Sequence, residues 1–136
     1  MIVIAVDVGT VRVGVAWGDT QAGFAFPVGV YQRAQGRAEK ALKALLEEKK
    51  AGQVVIGLAL GEHGEPTELS ENARAFAKRL SKRVSVPIGF VDESFSSEEA
   101  LERLQQAGAE KTELDAYAAT IILERFFESG EVNIDS

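Results

Sequence analysis

Three acidic residues, far apart in the sequence, each stand at the boundary of a predicted element. Asp7 ends a short apolar run, Glu93 follows the last such run, and Asp115 lies in the first turn of the last predicted helix. Glu93 has a simple explanation as a solvated residue before a helix cap, and Asp115 as a complement to its helix dipole. Asp7 could accept hydrogen bonds from the turn at Gly9. A binding role explains Asp7 equally well, because ligands of open α/β sheets bind at strand ends.

Taken together, the three carboxylates predict a divalent-metal site. Ionised carboxylates brought close together repel one another unless a cation or a proton neutralises them. Mg²⁺ and Mn²⁺ prefer oxygen ligands and keep several waters, which suits a few carboxylates and a substrate phosphate. Two such ions, about 3.5–4 Å apart, can activate a water and stabilise the leaving oxygen of an in-line displacement. The hypothesis is a phosphodiester-cleaving enzyme with Asp7, Glu93 and Asp115 as its metal ligands and catalytic residues.

The composition limits the classes of protein to consider. The 136 residues, 46% of them hydrophobic, fit one domain with a sizeable core. No apolar run approaches the roughly 20 residues that cross a bilayer, and the N-terminus lacks the positive region of a secretory signal. The absence of cysteine excludes disulfides, thiol nucleophiles and cysteine-ligated zinc. We therefore expect a cytoplasmic protein with no membrane segment, whose metal site uses oxygen ligands or His63.

The net charge of −6 argues against a protein that coats nucleic acid through bulk electrostatics. Phosphate binding depends on local lysine and arginine, so a nucleic-acid substrate would need a local basic strip. Two basic clusters are candidates: Arg33, Arg37, Lys40 and Lys43 form the first, and Lys78, Arg79, Lys82 and Arg83 form the second. Either cluster alone is explained more simply as a solvated helix face.

The hydrophobic pattern predicts the elements that position these residues. The apolar run Ile2–Val6 predicts a central strand, and alternating runs from Val11 and Phe24 predict two antiparallel strands. Pro27 cannot donate a ladder hydrogen bond, so the third strand should be an edge strand or carry a bulge. Helices are predicted over 36–50, 67–83, 96–106 and from Thr112, and strands over 54–60 and 88–91.

These elements make an α/β fold. Its sheet is mixed and five-stranded, with three antiparallel strands followed by parallel strands, and helices flank it. No composition shift marks a domain boundary, so we predict a single domain over residues 1–130 and a frayed tail over 131–136.

Four segments, taken in order, resemble one protein family. They are Asp7-Val-Gly9-Thr10-Val-Arg12-Val-Gly14, Val55-Ile-Gly57-Leu-Ala-Leu60, Val91-Asp92-Glu93 and Leu114-Asp115-Ala-Tyr-Ala118. Together they cover nearly the whole chain and are similar to the YqgF (RuvX) family. The resemblance implies a ribonuclease-H-like fold and a metal-dependent nuclease whose acidic triad is Asp7, Glu93 and Asp115. It also implies one of two substrates, the 5′ end of precursor 16S ribosomal RNA or a Holliday junction.

The residues around the triad are expected to contact the substrate. Gly9, Thr10, Arg12 and Ser94 are the predicted substrate-binding residues. Ser94 departs from the family pattern, which has an arginine after Asp-Glu, and that arginine would be a natural phosphate clamp. The departure therefore concerns substrate affinity more than metal binding. Arg12 could contact the scissile strand or, equally, pair with a carboxylate at the edge of the core.

Two hypotheses from other classes are also open. Asp7-Val-Gly9-Thr10 resembles the phosphate-binding turn of the sugar-kinase and actin group, but this chain is too short to hold the two domains that clasp ATP there. The other hypothesis is a non-catalytic nucleic-acid-binding module, against which the three carboxylates predict metal binding. A homodimer would match the two-fold symmetry of a four-way junction.

Overall fold

A mixed five-stranded sheet forms the centre of the computed structural model, which describes residues 1–93, 102 and 104–130. The strands are β1 (Ile2–Val8), β2 (Arg12–Asp19), β3 (Phe24–Gln32), β4 (Gln53–Leu58) and β5 (Ile88–Asp92), in the order β3-β2-β1-β4-β5. Strands β1 to β3 form an antiparallel meander, β4 is parallel to β1, and β5 is parallel to β4. The predicted sheet of three antiparallel strands followed by parallel strands is confirmed.

Three helices that lie wholly within the described residues flank this sheet: α1 (Arg37–Lys49), α2 (Glu68–Ser81) and α3 (Lys111–Ser129). Thr67 caps α2, since its side-chain oxygen accepts a hydrogen bond from the backbone N–H of Ser70. The predicted bounds of these helices are correct to within two residues. The helix predicted over 96–106 lies largely outside the described residues, and its described part, 102 and 104–106, is helical. The predicted tail over 131–136 also lies outside them.

The sheet is covered on both faces. Ile4, Val6 and Val8 of β1 pack with the apolar stripes of α1 and α2, whereas Val3 and Ala5 pack with α3. Burial on both faces explains why β1 has a continuous apolar run instead of an alternating one. Because successive strand residues point to opposite faces, Asp7 belongs to the same face as Val3 and Ala5. The first strand therefore directs the Asp7 carboxylate toward the side of the sheet that α3 covers.

Strand β3 shows both features predicted from Pro27. It lies at the edge of the sheet, and its register with β2 shifts between Val15 and Ala16. Val15 pairs with Gly29 and Ala16 pairs with Pro27, so Val28 is the extra residue of a bulge. No helix in the described part of the chain is long and apolar enough to cross a membrane.

Candidate active site

Asp7 and Asp115 are brought together by a close approach of α3 to β2. Asp7 pairs in register with Gly14 of β2. Asp115 is the fifth residue of α3, just beyond the first turn in which it was predicted, because the helix begins at Lys111. A Cβ atom added at Gly14 would lie 1.9 Å from the backbone oxygen of Asp115, so only glycine allows α3 to rest on this strand. The close contact between these two backbones therefore sets the position of Asp115 beside the end of β1.

Glu93 reaches the site from the end of β5. Its backbone N–H donates a hydrogen bond to the carbonyl oxygen of Leu58 at 3.1 Å, which ties the chain to the end of β4. A Cβ atom at Gly57 would lie 3.0 Å from Oε2 of Glu93 and 2.5 Å from Cδ1 of Ile122. The bare backbone of Gly57 therefore leaves room for both the Glu93 side chain and α3.

The three carboxylates interact electrostatically through Asp7. Burial, and after it the negative charge of Asp115, raise the pKa of Asp7 to about 6. Burial and the charges of Asp7 and Asp92, with a smaller opposing effect of Arg125, raise the pKa of Glu93 to about 8. The site therefore carries more negative charge than its own surroundings neutralise.

Arg12 neutralises one member of the triad. Its Nε donates to Oδ2 of Asp115 at 2.5 Å, and both side chains remain partly exposed. Of the two roles predicted for Arg12, the contact with a carboxylate is the one observed. In the described part of the chain, the terminal guanidinium nitrogens of Arg12 make no further hydrogen bond.

The turn between β1 and β2 is fixed by two residues to which no positioning role was assigned from the sequence. Arg33 Nη1 donates to the carbonyl oxygen of Gly9 at 2.6 Å and to Oδ1 of Asn72 at 2.9 Å. Asn72 Nδ2 donates to the same Gly9 oxygen at 3.2 Å. The basic cluster contained Arg33, but nothing in the sequence singles out Asn72, which lies on α2 63 residues from Gly9. The two side chains hold the loop next to Asp7.

A cavity of about 280 Å³ brings together most of the predicted site. It is lined by Asp7, Gly9, Thr10, Val11, Arg12 and Asp115. Glu93 interacts with Asp7 by charge but is not among the lining residues. Ser94 lies outside the described residues. Among the described residues, no three acidic or histidine side chains form a complete metal-binding group. Asp7 is thus the shared member of two acidic pairs.

Comparison with known proteins identifies the family of this chain. The model of the RuvX family, described as Holliday junction resolvase, matches residues 1–129. A protein of Maridesulfovibrio salexigens named "Putative pre-16S rRNA nuclease" is 43% identical over 129 residues, which are 91% of this chain and 96% of that protein. The family-wide match leaves no support for the sugar-kinase hypothesis.

Two solved structures share the fold. Thermus thermophilus RuvC in complex with a Holliday junction substrate has a TM-score of 0.55 and 14% identity, over 96% of each chain. The fowlpox virus resolvase in complex with Holliday junction DNA has a TM-score of 0.56 and 14% identity, over 95% of this chain and 98% of that one. The predicted ribonuclease-H-like fold is confirmed by these neighbours, and the predicted nuclease function by the family. The chain belongs to the RuvX family.

Proposed function

We propose that this protein is a divalent-metal-dependent nuclease that processes the 5′ end of precursor 16S ribosomal RNA in the cytoplasm. The observation that carries the proposal is that three separate elements bring the carboxylates together: Asp7 and Asp115 line one cavity, and Glu93 is close enough for the charge of Asp7 to raise its pKa. The name of the 43% identical relative supports the choice of ribosomal RNA. The enzyme class would be a hydrolase acting on phosphodiester bonds.

Asp7, Glu93 and Asp115 are the residues that would hold Mg²⁺ or Mn²⁺. Their donor atoms are all carboxylate oxygens, the ligands that these cations prefer. The raised pKa values of Asp7 and Glu93 also fit, because a cation would relieve the repulsion that protons now relieve. Substrate phosphate and water would complete the ligand set. When bound, a pair of such ions would supply positive charge for the attacking water and the leaving oxygen.

The chain's own residues would hold the substrate in place. Arg12 keeps Asp115 oriented through Nε, which leaves its terminal nitrogens to donate to a phosphate. Gly9 and Thr10 line the same cavity, and Thr10 is exposed. Arg33 and Asn72 would keep this loop rigid, which lowers the cost of ordering it around a phosphate. We retain Ser94 as a fourth proposed contact.

A Holliday junction resolvase is the second candidate. The description of the matching family model favours it, and the two solved neighbours were both determined with junction DNA. This activity would require two sites, and a homodimer with two-fold symmetry would match a four-way junction. The two candidates share the same acidic site and differ in substrate.

The test is a side-by-side cleavage assay. Precursor 16S rRNA 5′ segments, unstructured RNA, single-stranded DNA and a synthetic four-way DNA junction are each incubated with Mg²⁺, Mn²⁺ or EDTA. We expect cleavage of the rRNA precursor only with a metal, and product ends identify the bond that is cut. If only the four-way DNA junction is cleaved, the protein is a Holliday junction resolvase and not a nuclease of precursor rRNA.

Variants assign the cleavage to the site. Asp7→Asn, Glu93→Gln and Asp115→Asn should each lower the rate at least about a hundredfold, since even losing a neighbour of a metal ligand costs 10–100-fold. Glu124→Gln, which removes an exposed charge from α3, should leave the rate unchanged. Metal binding without cleavage of any substrate would instead identify a non-catalytic nucleic-acid-binding module. An unchanged rate in any of the three variants would remove that residue from the site.

A further inference from the structure

The two basic clusters in the sequence meet in the structure. Helices α1 and α2 lie on the same face of the sheet, where both contribute to one hydrophobic core. Arg79 Nε lies 3.7 Å from Oε2 of Glu39, which links the helices directly. A Cβ atom added at Gly36 would lie 3.6 Å from Nη2 of Arg83. Arg79 and Arg83 of the second cluster therefore stand beside the first cluster in a local basic strip, whereas Lys78 lines a different cleft.

A groove of about 510 Å³ lies between α1 and the segment that follows α2. Lys43, Lys82 and Arg83 stand along it with Glu47, and its apolar lining includes Leu46 and Val84. All three cations are exposed. Within the described residues none of the three makes an ion pair, so each is available for a ligand. We call this the basic groove.

The basic groove is connected to the active site by a series of arginines. Arg33 holds the Gly9 carbonyl at the edge of the active-site cavity. Burial and the positive charge of Arg79 lower the pKa of Arg33, which indicates that these two guanidinium groups are neighbours. Arg83 follows Arg79 by four residues and lies just beyond Ser81, the last residue of α2. From Asn72, which contacts Gly9, to Ser81 the distance along the helix is about 13 Å at 1.5 Å per residue.

We propose that the basic groove binds the phosphate backbone of the nucleic acid that the active site cleaves, at a point about 13 Å or more from the cut. The proposal rests on the proposed nuclease function and extends it. A chain with a net charge of −6 repels nucleic acid over most of its surface, so exposed cations leading from the active site would decide how the substrate lies. An acidic protein segment is the other class of ligand that such charge could bind, and the test includes it.

Matched charge reversals test the proposal. Lys43→Glu and Arg83→Glu place a negative charge in the groove, whereas Lys78→Glu makes the same change at an exposed residue that lines a different cleft, with Ile88 and Phe90. Each is made in the full chain carrying Asp7→Asn, and binding to a labelled rRNA precursor segment is measured by fluorescence anisotropy at several salt concentrations. We expect Kd to rise about tenfold for each groove variant and less than about twofold for Lys78→Glu. The slope of log Kd against log salt should fall by about one per lost contact.

Cleavage by the same variants with an intact Asp7 separates this proposal from the proposed function. The groove variants should lower kcat/KM for the long precursor but leave kcat, and the cleavage of a fragment too short to reach the groove, unchanged. If Lys78→Glu and Arg83→Glu weaken RNA binding equally while the unsubstituted chain still cleaves, the proposal for the basic groove is wrong and the proposed function stands. Absence of both binding and cleavage in the unsubstituted chain would overturn both proposals. Loss of polyglutamate binding without loss of RNA binding would assign the groove to an acidic protein.

Discussion

Asp7 has an acidic neighbour on each of two sides, and the two sides handle negative charge differently. On one side, Arg12 pairs with Asp115 and supplies a fixed positive charge. On the other, the nearby Arg125 only partly offsets the effects of burial, Asp7 and Asp92, and the pKa of Glu93 rises to about 8. The Glu93 side is therefore neutralised by a proton near pH 7. A metal would compete with a guanidinium group on the first side and with a proton on the second.

The two sides also differ in how rigidly they are built. A Cβ atom at Gly14 would meet the backbone of Asp115 at 1.9 Å, which can be relieved only by moving α3. A Cβ atom at Gly57 would meet side-chain atoms of Ile122 and Glu93, which can rotate away. The Asp115 side is thus fixed by the contact of two backbones and the Glu93 side by adjustable packing.

The largest effect that follows from this contrast is expected from Gly14→Ala. It should lower the free energy of unfolding by about 3 kcal/mol and abolish cleavage, because overpacking of this size shifts the backbone that carries Asp115. Gly57→Ala should cost about 1 kcal/mol and reduce cleavage only partly. Urea denaturation of both variants, with cleavage measured on the folded fraction, gives the comparison. Equal losses in the two variants would show that the sides are equally rigid.

The sheet could be predicted from the sequence because its signals are local. Period-two alternation marks β2, and continuous apolar residues mark β1 as a strand buried on both faces. Pro27 alone predicted an edge strand or a bulge, and it marks both. Gly14 and Gly57 also carried a signal, since glycine inside a strand indicates a close backbone approach.

The arrangement of side chains could not be predicted in the same way. The contact of Asn72 with Gly9 depends on how α2 packs across the sheet, which no spacing in the sequence records. The same holds for Arg12, whose two predicted partners could be separated only by knowing where the N-terminal part of α3 lies. The family resemblance identified the acidic triad. Only the structure shows that Asp7 forms two different pairs, one with Asp115, which Arg12 contacts, and one with Glu93, whose pKa is raised.

A second prediction tests the proton on the Glu93 side through pH. Glu93 and Asp7 have raised pKa values in the folded chain, so between about pH 4 and pH 8 the folded state binds more protons than the unfolded state. Stability must then fall as the pH rises through this range, and in EDTA we expect a loss of about 5 kcal/mol between pH 5 and pH 8. Denaturation at each pH measures it.

Glu93→Gln separates the two contributions. In this variant the free energy of unfolding should no longer depend on pH above about pH 6. The reason is that the pKa of Asp7 is about 6 and only that of Glu93 is about 8. Saturating Mn²⁺ should flatten the slope in the unsubstituted chain, since a bound cation replaces the protons. A stability that rises between pH 6 and pH 8 in EDTA would show that Glu93 is neutralised by another group.

The smallest predicted effect concerns the fixed charge of Arg12. Removing it with Arg12→Gln should tighten Mn²⁺ binding about fivefold, or about 1 kcal/mol, because a cation beside Asp115 opposes a second cation there. Arg12→Lys keeps the charge and should bind Mn²⁺ as the unsubstituted chain does. Calorimetric titration of the three proteins at one pH and ionic strength makes the comparison. Weaker binding in Arg12→Gln would mean that the orientation of Asp115 by the guanidinium group outweighs its charge, and the two sides of Asp7 would then differ in geometry more than in charge.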